Sequence, residues 1–111
     1  MTDPAQANAT IFRRYKMLLE IYTDSGGIDP MANDPRLSLA NLLWMCQTGV
    51  VEASHMPEDK ASRWLGFVQG CLAMRGMIDV DVERTVTRPL FHAVHKTRFG
   101  ETPNTLSRDG R

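Results

Sequence analysis

The 111-residue chain has no excess of charge of either sign. Thirteen lysines and arginines balance thirteen aspartates and glutamates, so overall charge gives no argument for nucleic acid or an anionic membrane as partner. Long apolar runs are also missing. None approaches the roughly 18 residues of a membrane-spanning helix. The opening stretch MTDPAQANAT has no basic region followed by an apolar one, so no signal peptide is expected. Internal repeats and low-complexity segments are absent. Cysteine is scarce: Cys46 and Cys71 are the only two, each among apolar neighbours in an expected helix. With no CxxC pair, a zinc or dithiol site is not expected. The simplest reading is two small buried thiols in a reducing compartment, although a disulfide between the helices stays geometrically open. GxSxG, GxxxxGK[ST], HExxH and GxGxxG do not occur. We therefore expect a soluble, cytoplasmic, non-enzymatic protein with no cofactor.

What is present is a helical pattern. With 42% hydrophobic and 23% charged residues, the chain is globular. We expect an all-α single domain over residues 1–99, a compact bundle of four or five short helices, and a flexible tail at 100–111. The first helix runs from Thr10 to about Asp24, with Ile11, Tyr15, Leu18 and Tyr22 on one side. SGG at 25–27 stops it. Asp34-Pro35 reads as an N-cap and first helical position, opening a second helix that reaches about Ala53. Its main apolar face holds Leu39, Leu42, Leu43, Cys46, Val50 and Ala53, with Gly49 among them. Leu37, Trp44 and Val51, at heptad spacing, form a thinner strip that calls for a second neighbour, either in the same domain or in another chain.

A third helix is expected from Pro57 to about Gly76, and two glycines interrupt it. Gly66 and Gly70 each weaken a helix by about 1 kcal/mol relative to alanine. Ala61, Trp64, Leu65, Phe67, Val68, Cys71, Leu72 and Met74 cover one half of its circumference. Ser62, Gly66, Gly70 and Ala73 cover the other half. A helix without a polar face is usually buried, which places this one at the centre of the bundle. Its small face is then a close-packing surface or an interface, since small residues let another backbone approach. Most of the seven methionines are expected to fill the core.

The fourth helix begins near Asp79 or Asp81 in IDVDVER, with Glu83 in an acidic first turn. Val82, Val86, Leu90, Ala93 and Val94 are expected to face the core. Pro89 either kinks this helix or divides it. If it stays whole, Arg84, Arg88, His92 and His95 share one face. Lys96 and Arg98 lie nearby, and no acid occurs between 84 and 98. Such a stripe suits an acidic protein surface or phosphate groups. The bland alternative is a solvated face, or arginines paired with Asp79, Asp81 and Glu83. His92 and His95 lack a third ligand, so no metal site is expected.

PEDKASRWLGFVQGCL followed by GMIDVDVERTVTRPLFH resembles a pattern in small orphan proteins of bacteriophages and prophages. The shared elements are Lys60, Arg63-Trp64, Gly66-Phe67, Gln69-Gly70, an acidic helix start and Arg88-Pro89, across residues 57–92. The resemblance implies a small cytoplasmic accessory protein that binds and blocks a host component, for example part of a defence system. The expected partner is therefore a host protein with an acidic surface. The contact residues would be Arg84, Arg88, His92, His95 and Lys96, with Trp44. Two alternatives use other chemistry: a nucleic-acid-binding regulator on the same arginines, and a homo-oligomeric sponge for a small phosphorylated signal at the glycine face.

Overall fold

The computed structural model describes residues 3–99, with side chains defined for residues 3–92. The expected tail at 100–111 lies outside them, as do the side chains of Ala93, Val94, His95 and Lys96. The described chain is all-α, as expected. It comprises α1 (Pro4–Asp24), α2 (Leu39–Glu52), α3 (Glu58–Met74) and α4 (Val80–Phe99).

The helix starts follow from local capping, and two differ from expectation. α1 starts six residues before Thr10. Asp3 accepts from the Gln6 amide at 2.8 Å, and the Gln6 side chain accepts from the Asp3 amide at 3.3 Å. With Pro4 in the first turn this is a capping box. α2 starts four residues after Pro35. Its cap is Ser38, whose hydroxyl accepts from the Asn41 amide at 3.1 Å. Asp34 instead closes a turn: its carboxylate accepts from the Arg36 amide at 3.0 Å, and its carbonyl accepts from Leu37 and Ser38. Asp-Pro opens a turn as readily as a helix. α3 ends as expected. Gly76 has φ +74°, the Met77 amide donates to the Leu72 carbonyl, and the Gly76 amide donates to Ala73, the Schellman pattern.

The centre of the bundle is α1, and the α3 segment at 57–76 lies on its flank. α1 packs against all three other helices. It supplies Phe12, Tyr15 and Leu19, which meet Leu42 and Cys46 of α2 and Val68 and Leu72 of α3. The half of α3 with Gly66, Phe67, Gly70 and Met74 is exposed. Glycines carry almost no apolar area, so covering that face would yield little hydrophobic stabilisation. Close approach occurs elsewhere. A Cβ at Gly49 of α2 would lie 2.5 Å from the Phe12 ring, whereas at Gly66 or Gly70 it would meet nothing within 4 Å. The methionines divide: Met45 is buried and Met56 and Met77 pack partly against the core, while Met17, Met31 and Met74 are exposed.

α4 continues through Pro89. Its inward face is rotated from the expected one: Glu83 (2% exposed) and Thr87 (7%) are buried, whereas Val82 and Val86 are exposed. A specific partner outweighs the apolar pattern. Arg14 of α1 donates from Nε and Nη2 to the two Glu83 oxygens at 3.0 and 2.9 Å. Such two-pronged, charge-assisted bonds are among the strongest a side chain makes. They dock α4 on α1. Leu90, packed partly against the core, completes the contact.

Candidate functional site

Because α4 is continuous, the basic residues remain in register. At 100° per residue, Arg84, Arg88 and His92 step around the helix at 0°, 40° and 80°, taking Arg84 as origin. Phe91 precedes them, on the side toward Thr87. Arg84 and Arg88 are exposed, and His92 is half-buried. The carboxylate nearest in sequence, Glu83, is turned inward and held by Arg14. Asp79 is engaged as a helix cap, its side chain accepting from the Val82 amide at 3.1 Å.

Beneath this face lies a polar network that joins three helices. Arg14 holds the Glu83 carboxyl below its usual range, against the opposing effect of burial, and the Tyr15 hydroxyl also favours the charged form. The Arg14 guanidinium is in turn raised by Glu83. Burial first, then the neighbouring Glu83 carboxylate, push the Tyr15 phenol upward. Gln69 of α3 donates to that phenol oxygen at 3.0 Å. At neutral pH the network is a charged pair with a neutral phenol. Both protonation states are held far from neutrality, so the arrangement serves orientation better than proton transfer.

A second network clips the connection between α1 and α2. Arg75, at the end of α3, donates to Asp29 at 2.8 Å and to the Leu37 carbonyl at 2.6 Å. Asp29 also accepts from the backbone amides of Met31 and Leu39 at 2.9 and 2.8 Å. Burial alone would raise the Asp29 carboxyl; Arg75 and these two amides outweigh it and bring the pKa to about 2.

Trp44 does not join the basic stripe. It is 54% exposed on α2 and lies against Trp64 of α3, with ring centroids 5.7 Å apart. Lys60 sits 5.3 Å above the Trp64 ring. α4 packs on α1 and makes no comparable contact with α2. The second neighbour implied by the Leu37–Trp44–Val51 strip is therefore only partly found, in Trp64; Val51 is exposed.

The small face of α3 borders two hollows. One, of about 400 Å³, is apolar and runs over Gly66, Gly70 and Cys71 between Phe67, Met74 and Met31. The other, of about 180 Å³, lies between α1, α3 and α4 and includes Ser62 and Gly66. Ala73 is half-buried and lines neither. Both cysteines are free. Burial pushes the Cys46 thiol up to about 12, and burial also raises Cys71 against the opposing charge of Arg75. Neither is activated as a nucleophile. Among the described residues no group of three or more potential ligands is placed to hold a metal ion, and no helix is long and apolar enough to cross a membrane. No family model, curated protein or solved structure matches the chain.

The polar network is the part of the site that sequence reading misses. The acidic first turn puts Glu83 in helix initiation, and only its spacing from Thr87 and Leu90, which places it on the inner face, marks it otherwise.

Proposed function

We propose that this is a non-enzymatic interaction protein of the phage accessory type, which binds and blocks a host protein carrying an acidic surface. The observation that carries the reading is the unbroken α4, which keeps Arg84, Arg88 and His92 on one outward face. The Arg14–Glu83 pair, in which the carboxylate is buried and the guanidinium exposed, supports it in two ways. It fixes the helix at the base of the stripe, and it removes the adjacent carboxylate from the surface. A rigid cationic face with an exposed aromatic, Phe91, beside it suits a carboxylate-rich protein patch. His95 and Lys96 extend the stripe in sequence. Trp44 stands apart and is not part of the proposed contact.

The test is native mass spectrometry of complexes formed in host extract, comparing the wild type with the Arg84→Glu, Arg88→Glu double variant. The circular dichroism spectrum and the Tm serve as folding controls. A stoichiometric protein complex that is lost on charge reversal, with unchanged folding, is the expected result. A complex that survives charge reversal refutes the assignment. A salt-sensitive complex with nucleic acid in place of protein replaces the reading with the regulator alternative.

A further inference from the structure

The 180 Å³ hollow between α1, α3 and α4 is lined by two largely covered polar side chains that keep a little contact with solvent and have no protein hydrogen-bond partner. Asn8 of α1 is 5% exposed and Thr87 of α4 is 7% exposed. Neither side chain hydrogen-bonds to any described group. Their amide and hydroxyl are therefore open to whatever occupies the hollow, water or a ligand. Asn8 also borders a shallower depression at the α1 N-terminus.

The rest of the lining restricts what fits. Ile11 and Leu65 give apolar walls, and Phe91 and Gly66 stand at the exposed rim. Gln69 uses its amide nitrogen on Tyr15 and keeps a carbonyl oxygen as a further acceptor. No lysine, arginine, histidine, aspartate or glutamate lines the space, so the enclosed part of a ligand has to be neutral. A hollow of about 150 Å³ accommodates one six-membered ring, and this one is slightly larger. A carboxamide offers a donor and an acceptor side by side, the complement of an amide edge on a flat ring.

From these observations we propose that the hollow binds a neutral, planar, single-ring heterocycle with an amide edge, the class to which pyrimidine-dione bases and small lactams belong. Asn8 pairs with the edge, Thr87 and the Gln69 carbonyl take the remaining polar positions, and Phe91 covers the ring at the mouth. The inference does not depend on the basic face serving as a protein contact. The ring enters free or as the base of a nucleotide. In the second case, Phe91 leads to Arg88 and His92, which follow it around α4 and would meet the phosphate.

The probes are uridine, uridine 5′-monophosphate and benzene, titrated into the full-length protein and followed through the side-chain amide signals of Asn8 and Gln69 by NMR. Uridine is expected to shift both signals saturably, whereas benzene shifts neither. Tighter binding of the monophosphate, reduced by Arg88→Gln, identifies a nucleotide; equal binding identifies the ring alone. Thr87→Val and Asn8→Leu are expected to weaken uridine binding at least tenfold while leaving the circular dichroism spectrum unchanged, since neither side chain holds a protein hydrogen bond. Gly66→Leu, a position with open space beside it, closes the mouth and provides a folded, non-binding control. Unchanged amide signals with uridine and its monophosphate overturn the proposal and leave ordered water as the occupant. So does benzene binding as well as uridine, or undiminished binding by folded Thr87→Val and Asn8→Leu variants.

Discussion

Replacing glycine with alanine in the interior of a helix ordinarily stabilises it by about 1 kcal/mol. This protein offers three such positions that should not behave alike. At Gly66 and Gly70 the new Cβ meets nothing within 4 Å, so each substitution should stabilise by about 0.5–1 kcal/mol. At Gly49 the Cβ falls 2.5 Å from the Phe12 ring, against an optimal carbon–carbon separation of about 3.5–4.0 Å. Phe12 is wholly buried at the centre of the core, so the ring cannot give way without shifting its neighbours. Overpacking of this kind costs about 1–3 kcal/mol, and more than offsets the helix gain. The expected net effect at Gly49 is a loss of about 1–2 kcal/mol, a fall in Tm of roughly 5–15 °C for a domain of this size. Urea unfolding followed by tryptophan fluorescence and circular dichroism measures all three. A double-mutant cycle with Phe12→Leu isolates the contact. The smaller side chain should destabilise the wild type but cost less in the Gly49→Ala background, with a coupling of about 0.5–3 kcal/mol. If Gly49→Ala stabilises the protein as the other two do, the close α1–α2 approach is wrong, and with it the placement of α1 at the centre.

Three further outcomes follow from the Arg75–Asp29 and Arg14–Glu83 ion pairs. Arg75→Ala removes one of the partners of the Asp29 carboxylate and frees the Leu37 carbonyl, so it should cost about 1.5–3 kcal/mol and expose the 25–38 connection to limited proteolysis; unchanged cleavage there would refute the clip. Glu83→Gln keeps the shape but loses the charge-assisted pair with Arg14, and should cost about 1.5–3 kcal/mol while loosening α4, read as faster amide exchange over 80–92. Acid should destabilise the protein in a defined window. Asp29 and Glu83 both have folded-state pKa values below their ordinary ones. Their contribution is complete above the ordinary carboxylate range, about pH 4, and is lost as pH falls toward 2, the value for Asp29. Stability that is flat from about pH 5 to about pH 2 would contradict both ion pairs.

The helices were legible in the sequence wherever a face was continuous in one chemical character. Ile11 and Tyr15 on α1, Leu42 and Cys46 on α2, and the Gly76 stop after α3 all lie as their spacing implies. What eluded the pattern was set by partners distant in sequence. Glu83 is 69 positions from Arg14, and no local rule brings an acid inward in preference to Val82 and Val86. Once that pair forms, α4 is turned, the valines are left outside, and Thr87 is carried into the hollow beside Asn8. The same pair withdraws a carboxylate from the surface next to Arg84 and Arg88. One long-range interaction thus shapes both the basic face and the small hollow, and it predicts a shared fate for them. A Glu83→Gln variant that loosens α4 should weaken a protein contact at Arg88 and a ring in the hollow together, although it touches neither directly. Loss of one without the other would show that α4 is held in place by something besides its bond to Arg14.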